Sequence, residues 1–111
     1  MPAVAISPKV KSILAELRRG FEEIYGDRLV KLLLFGSQAR GDAREDSDID
    51  VLVVLRGPVR PRGETTRISE FRAALCLQHN AVVTCIYLSE EQYLQEQSPL
   101  VLNARREGVP V

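Results

Sequence analysis

Apolar positions along the chain recur with two different periods, and the switches between them lay out its elements. Val10, Ile13, Leu14, Leu17, Phe21 and Ile24 fall three or four residues apart, the spacing of one face of a helix. Ser7-Pro8 supplies an N-cap and a proline at the first helical position, and Gly26 a terminator. From Leu29 to Phe35 the period changes. The unbroken run Leu32-Leu33-Leu34-Phe35 predicts a strand buried on both faces. A short helix is expected from Ser37, carrying Ala39 and Arg40, and Asp42 to Ser47 forms a charged connector. Asp48 to Leu55 predicts a second strand, apolar and β-branched after its acidic start.

Arg56 to Gly63 holds two prolines and two glycines and reads as a loop. A second long helix is expected from Thr65 or Thr66 to Leu77, with Ile68, Phe71, Ala74 and Leu75 facing inward. Ala81 to Leu88 predicts a third strand. Ser89-Glu90-Glu91-Gln92 fits a capping box, so a helix with Tyr93 and Leu94 follows. Ser98-Pro99 opens another short helix that ends near Gly108. This order predicts an α/β (α+β) sandwich, a small mixed sheet with flanking helices. Without repeats, low-complexity tracts or a linker, residues 1–111 are expected to form one domain.

Composition narrows the function classes. Fifteen basic and fifteen acidic residues give a formal net charge of zero. A chain that clamps nucleic acid carries a basic face as a rule, so no direct nucleic-acid role is expected. No apolar run reaches the roughly 18 residues that span a bilayer, and the first residues lack a signal-peptide pattern. A cytoplasmic protein with no membrane association is the expectation. Cys76 and Cys85 lack a Cys-x-x-Cys partner and read as reduced apolar fillers. His79 lies at an expected helix end, where a cation is favourable, and reads as a capping residue.

The chemistry concentrates in one stretch. Gly36-Ser37-Gln38-Ala39-Arg40-Gly41 follows the first strand, and Ser47-Asp48-Ile49-Asp50-Val51-Leu52-Val53 opens the second. Side chains alternate along a strand, so Asp48 and Asp50 share a face while Ile49 and Val51 enter a core. Two such acids repel unless a cation sits between them. Mg²⁺ suits that place, because it takes one or two carboxylates together with substrate phosphates. The Gly36-Ser37 turn offers backbone N–H groups to those phosphates. Gly36, lacking a Cβ, lets the backbone come close. Arg40, one helical turn from Ser37, could stabilise developing negative charge; it could equally form a surface salt bridge or hold the connector. The plainer alternative is a glycine turn with two solvated aspartates at a strand entrance. A Gly-Ser and Asp-x-Asp match at fixed spacing arises by chance on the order of once in 10⁵ start positions, which favours the functional reading.

These residues resemble the minimal nucleotidyltransferases (MNT proteins) of the superfamily with a polymerase-β-like core. Their pattern is Gly-Ser-x-Ala-Arg-Gly, then Ser-Asp-x-Asp and an apolar strand. The close match covers about a fifth of this chain. The resemblance implies a nucleotidyltransferase-fold sandwich and transfer of a nucleoside monophosphate, usually AMP from ATP, with release of pyrophosphate. It implies metal ligation by the catalytic pair Asp48 and Asp50, and nucleotide binding by Gly36, Ser37 and Arg40. Many such proteins are antitoxins paired with a HEPN-domain toxin, so the resemblance implies that partner, with a side chain, most plausibly a tyrosine, as acceptor.

One departure stands out. Active members of the family commonly carry a third carboxylate on the third strand, where this chain aligns Thr84. A hydroxyl is a much weaker Mg²⁺ ligand than a carboxylate. Glu64 and Glu70 are candidate substitutes. The leading expectation is an Mg²⁺-dependent adenylyltransferase antitoxin acting on a HEPN ribonuclease. The alternative is a weak or inactive module that neutralises the same partner by binding alone. A free-standing small-molecule nucleotidyltransferase is disfavoured, because little chain remains to bind an acceptor. For Arg56, Arg60 and Arg62 in the loop, nucleotide, partner and solvent all stay open. The segment from Ser98 to Gly108 is either part of an interface or docked on its own sheet.

Overall fold

A computed structural model describes residues 6–40 and 48–111; the expected connector of Asp42 to Ser47 lies outside the described residues, as does Gly41. Helix α1, Pro8–Tyr25, starts as its sequence predicts: the Ser7 hydroxyl accepts from the Val10 amide at 3.2 Å, and Pro8 sits in the first turn. It ends on Gly26, whose φ of +54° is open to glycine and strained for other residues. A short 3₁₀ turn, Gly26–Arg28, leads into strand β1, Leu29–Phe35. Helix α2 is a single turn, Ser37–Arg40, and strand β2 is Ile49–Leu55.

Helix α3 spans Pro61–His79 and so begins several residues before the expected Thr65. Proline reads as loop punctuation, yet at the first helical position its missing N–H costs nothing and its φ is already helical. The Ala74 expectation also fails: Ile68, Phe71 and Leu75 turn toward the core, and Ala74 is exposed. Asn80 ends α3 in the left-handed conformation, and the Ala81 amide reaches back to the Cys76 carbonyl at 3.0 Å. This Schellman closure consumes Ala81. Strand β3 therefore runs Val83–Ser89, two residues later than predicted. The Ser89 capping box forms as read and opens α4, Glu90–Gln95. Helix α5 is Pro99–Glu107, capped by Ser98.

A fourth strand, β4 (Val109–Pro110), was not anticipated. A proline argues against a strand, except at a sheet edge where its missing N–H does no harm. That is where Pro110 lies, opposite Leu33. The sheet is mixed, in the order β3-β2-β1-β4. Strand β2 is antiparallel to β1 and parallel to β3, with α3 as the crossover. On one face α1 and α3 cover Leu32, Leu34, Ile49, Val51, Val53, Leu55, Val83 and Tyr87. On the other, Leu33, Leu52 and Val54 pack with Ala104 of α5, beside Tyr93 of α4. The continuous apolar runs of β1 and β2 are thus explained, since both strands are central and covered twice. The segment from Ser98 to Gly108 docks on its own sheet, with Val101 and Ala104 buried.

Candidate active site

The two motif halves meet because β1 and β2 are antiparallel neighbours. Phe35, the last residue of β1, pairs with Asp50 near the start of β2, so the glycine turn after Phe35 closes over the Asp50 carboxylate. Gly36 has φ +74°, and a Cβ added there would stand 2.5 Å from Asp50 Oδ2. No side chain fits between turn and carboxylate. The Gly36 carbonyl accepts from the amides of Ala39 and Arg40 at 3.1 Å each, which winds α2. Ser37 is half-buried at the start of that turn, while Asp48 is exposed just ahead of β2.

Asp50 lies on the α5 side of the sheet, two residues before Leu52 on the same face. Its carboxyl is held above the ordinary carboxylate range, first by burial and then by the charge of Asp48. Arg40 partly offsets both. A concentrated negative site of hard oxygen donors, with charge repulsion left over, fits a divalent cation such as Mg²⁺. No group of three His, Cys, Asp or Glu residues able to hold a metal occurs among the described residues. Among the described residues, this pair of carboxylates is what an ion here would meet, together with oxygens brought by a ligand.

The strand register fixes the neighbour of Asp50. Thr84 of β3 is its partner in the parallel ladder and points to the same side. The two candidate replacement acids stand elsewhere. Glu64 is buried, accepts a 3.0 Å hydrogen bond from the Tyr25 hydroxyl and lies 3.8 Å from Arg28. Arg28 in turn donates to the Arg56 carbonyl just beyond β2. Glu64 therefore sits at the far end of the sheet, about 20 Å from Asp50 at the usual rise of a strand. Glu70 is exposed on α3. Among the described residues, the charges that shift Asp50 are those of Asp48 and Arg40. Glu64 is thus engaged by Tyr25 and Arg28 rather than placed beside Asp50.

Other readings resolve in the same way. Arg56 donates to the Asp27 carbonyl at 3.2 Å, at the end of the sheet remote from Asp50, and Arg60 and Arg62 are exposed at the start of α3 beside it. Arg40 pairs with Glu107 of α5 at 3.7 Å. His79 does close a helix end, and its Nε2 lies 3.0 Å from Glu16 Oε2, tying α3 to α1. Cys76 and Cys85 are free and half-buried against the core, and burial raises the Cys85 thiol to about 11.

Sequence reasoning missed a cleft of about 210 Å³ beside the turn. Phe35, Gly36 and Arg40 line one side, and Leu100, Asn103 and Glu107 of α5 the other. The signal was present as the i, i+3, i+7 spacing of the three α5 residues, which puts them on one stripe. Only the docking of α5 shows what that stripe faces.

The site is thus a strand–glycine turn–strand unit of an α/β protein, with the turn packed on one of a pair of carboxylates. The chain matches the family described as the nucleotidyltransferase domain over residues 14–103, and it belongs to that family. A "Putative protein adenylyltransferase" of Methanocaldococcus jannaschii is 35% identical over 80 residues, covering 72% of this chain and 74% of that protein. Protein adenylyltransferase MntA of Thermococcus cleftensis is 42% identical over 45 residues, which is 40% of this chain and 43% of MntA. The match thus spans less than half the length of MntA and of some other curated relatives. A crystal structure of a toxin–antitoxin complex with AMP-PNP superposes with a TM-score of 0.61 at 19% identity, over 94% of this chain and 72% of that one, which is a likeness of fold. No described helix is long and apolar enough to cross a membrane.

Proposed function

We propose that this chain is an antitoxin that transfers AMP from ATP to a side chain of a partner toxin and so neutralises it. The observation that carries the reading is the packing of the Gly36 turn on the Asp50 carboxylate, so close that no Cβ fits between them. The names of the adenylyltransferase relatives and the AMP-PNP-bound toxin–antitoxin neighbour support it. A HEPN ribonuclease as partner, a tyrosine as acceptor and a cytoplasmic setting, where ATP is at hand, complete the proposal.

In this reading Asp48 and Asp50 hold Mg²⁺, which supplies Lewis-acid polarisation of the phosphates and of the attacking oxygen. The turn at Gly36 and Ser37 donates N–H and hydroxyl hydrogens to phosphate oxygens. Arg40 faces the charge that develops on them. The acceptor oxygen bonds to the α-phosphorus, the bond from that phosphorus to the bridging oxygen breaks, and pyrophosphate departs. The acceptor's proton is lost to solvent.

The test is incubation of the chain with Mg²⁺, α-labelled ATP and its partner toxin, beside an Asp48→Asn/Asp50→Asn control. Label on the toxin that falls at least ~100-fold in the control is expected, since the metal contributes several kcal/mol to such a barrier. A second reading, neutralisation by contact alone, rests on Thr84 beside Asp50, where a hydroxyl replaces a stronger ligand. An unlabelled toxin that both chains neutralise equally would establish that reading in place of the first.

A further inference from the structure

The cleft beside Gly36 is too small for a whole nucleotide and of a size for one base. Its volume of about 210 Å³ falls below the roughly 300–1,000 Å³ that encloses drug-sized ligands. It shares Gly36 and Arg40 with the acidic site, so a ligand with phosphates at the turn would extend into it. Its walls carry a specific chemistry. Phe35 from β1 and Leu100 from α5 supply apolar surface from two different elements, suited to the faces of a flat ring. Asn103 supplies a primary amide, which presents a donor and an acceptor side by side. That amide makes no hydrogen bond among the described residues. Glu107 is held in place at the rim by Arg40, 3.7 Å away. Val101 and Ala104, on the adjacent stripe of the same helix, are buried against the sheet, so Asn103 is anchored by a packed element.

We infer that this cleft receives the base of the nucleotide and that Asn103 selects adenine. The inference rests on the proposed reading of Asp48, Asp50 and the Gly36 turn as the phosphate and metal site. An amide pairs with adenine through two hydrogen bonds, accepting from the exocyclic N6 amino group and donating to ring nitrogen N7. Guanine offers acceptors at both of those places, so one of the two bonds is lost.

The experiment compares Mg²⁺-dependent binding of ATP, GTP and inorganic tripolyphosphate to the full chain and to Asn103→Ala, by calorimetry. Asn103 is exposed, so its truncation leaves the core intact. The wild-type chain is expected to prefer ATP over GTP by about tenfold or more, the low end of what a bidentate pair discriminates. In Asn103→Ala that preference should shrink to about twofold, with tripolyphosphate affinity unchanged. Equal binding of ATP and GTP by the wild type, or an undiminished preference in Asn103→Ala, overturns the assignment of Asn103 while tripolyphosphate binding keeps the phosphate site standing. If tripolyphosphate binds neither chain, or binds Asp48→Asn/Asp50→Asn as well as wild type, the underlying site is wrong and the inference falls with it.

Discussion

Two constraints meet at Gly36. Its φ of +74° is one that L side chains avoid, and its Cβ position is filled by the Asp50 carboxylate. Gly36→Ala is expected to cost about 1–2 kcal/mol of backbone strain. It should cost more in function, because the added methyl pushes the Asp50 carboxylate aside. Thermal unfolding and Mg²⁺-nucleotide binding separate the two effects: binding should be lost in a chain that still folds. Asp50 itself carries a pH signature. Its carboxyl is raised by burial and by Asp48, so the folded chain holds a proton that the unfolded chain has released. Stability from this group is therefore lost as pH rises from the ordinary carboxylate range through the raised value, and stays lost above it. Asp50→Asn removes the penalty. In metal-free buffer this variant should melt above the wild type near pH 7, and the difference should shrink as pH falls below the carboxylate range. Added Mg²⁺ should raise the midpoint of the wild type and leave that of the variant nearly unmoved. An unchanged gap between acid and neutral pH would show that Asp50 bears no such penalty. The Gly-Ser and Asp-x-Asp pattern was legible at this scale because both halves sit where strands begin and end. The Phe35–Asp50 pairing and the exclusion of a Cβ at Gly36 were not, since both depend on the register of two strands.

Between elements, the ends of helices do most of the fixing. Ser7, Ser89 and Ser98 cap three helices with their hydroxyls, as local spacing foretold. The junctions between α1, α3 and the far end of the sheet follow no local rule. Tyr25 at the end of α1 donates to buried Glu64 in the first turn of α3, and burial together with Glu64 keeps the phenol protonated well above its usual range. Tyr25→Phe would leave a Glu64 oxygen buried without that donor. A loss of about 1–3 kcal/mol is expected, read by denaturant unfolding. A loss below a few tenths would mean that Arg28 alone satisfies the carboxylate. Gly108 joins α5 to β4 so closely that a Cβ there would come within 2.2 Å of the Ala104 carbonyl. Gly108→Ala should cost about 1–3 kcal/mol by displacing β4 or the last turn of α5. Because α5 walls the cleft, the same substitution should weaken nucleotide binding. A stability loss with unaltered binding would uncouple α5 from the site.

The whole molecule is a sheet covered on both faces, and its stability is set mainly by the larger core under α1 and α3. Phe21 is fully buried there, packed against Tyr25 and edge-on to Phe71, whose ring lies over Gly20. Phe21→Ala is expected to cost about 3–5 kcal/mol, a large part of the total for a domain of this size, and to be seen as a lowered unfolding midpoint. Asp50 of the proposed site lies on the opposite face, the one that α5 covers. In the proposed reading the site adjoins the smaller core, so a substitution such as Asp48→Asn is expected to abolish transfer and leave the larger core intact. Asp48→Asn should give an unfolding curve that overlays the wild type.

The sequence by itself determined the order of the elements, the α/β class, the caps and the acidic pair, because each is written in residues a few positions apart. It misplaced the start of α3, since Pro61 serves equally as a loop residue and as a first helical residue. It missed β4, whose two residues acquire strand geometry only beside β1. Tertiary structure alone decided that Glu64 belongs to Tyr25 and Arg28, that Thr84 is the ladder neighbour of Asp50, and that Asn103 faces Gly36 across a cleft. The physical reason is common to all of these: a side chain's partner across the fold is fixed by strand register and helix docking, which sum over many distant contacts, whereas a cap, a turn or an amphipathic stripe is fixed by its own neighbours in the chain.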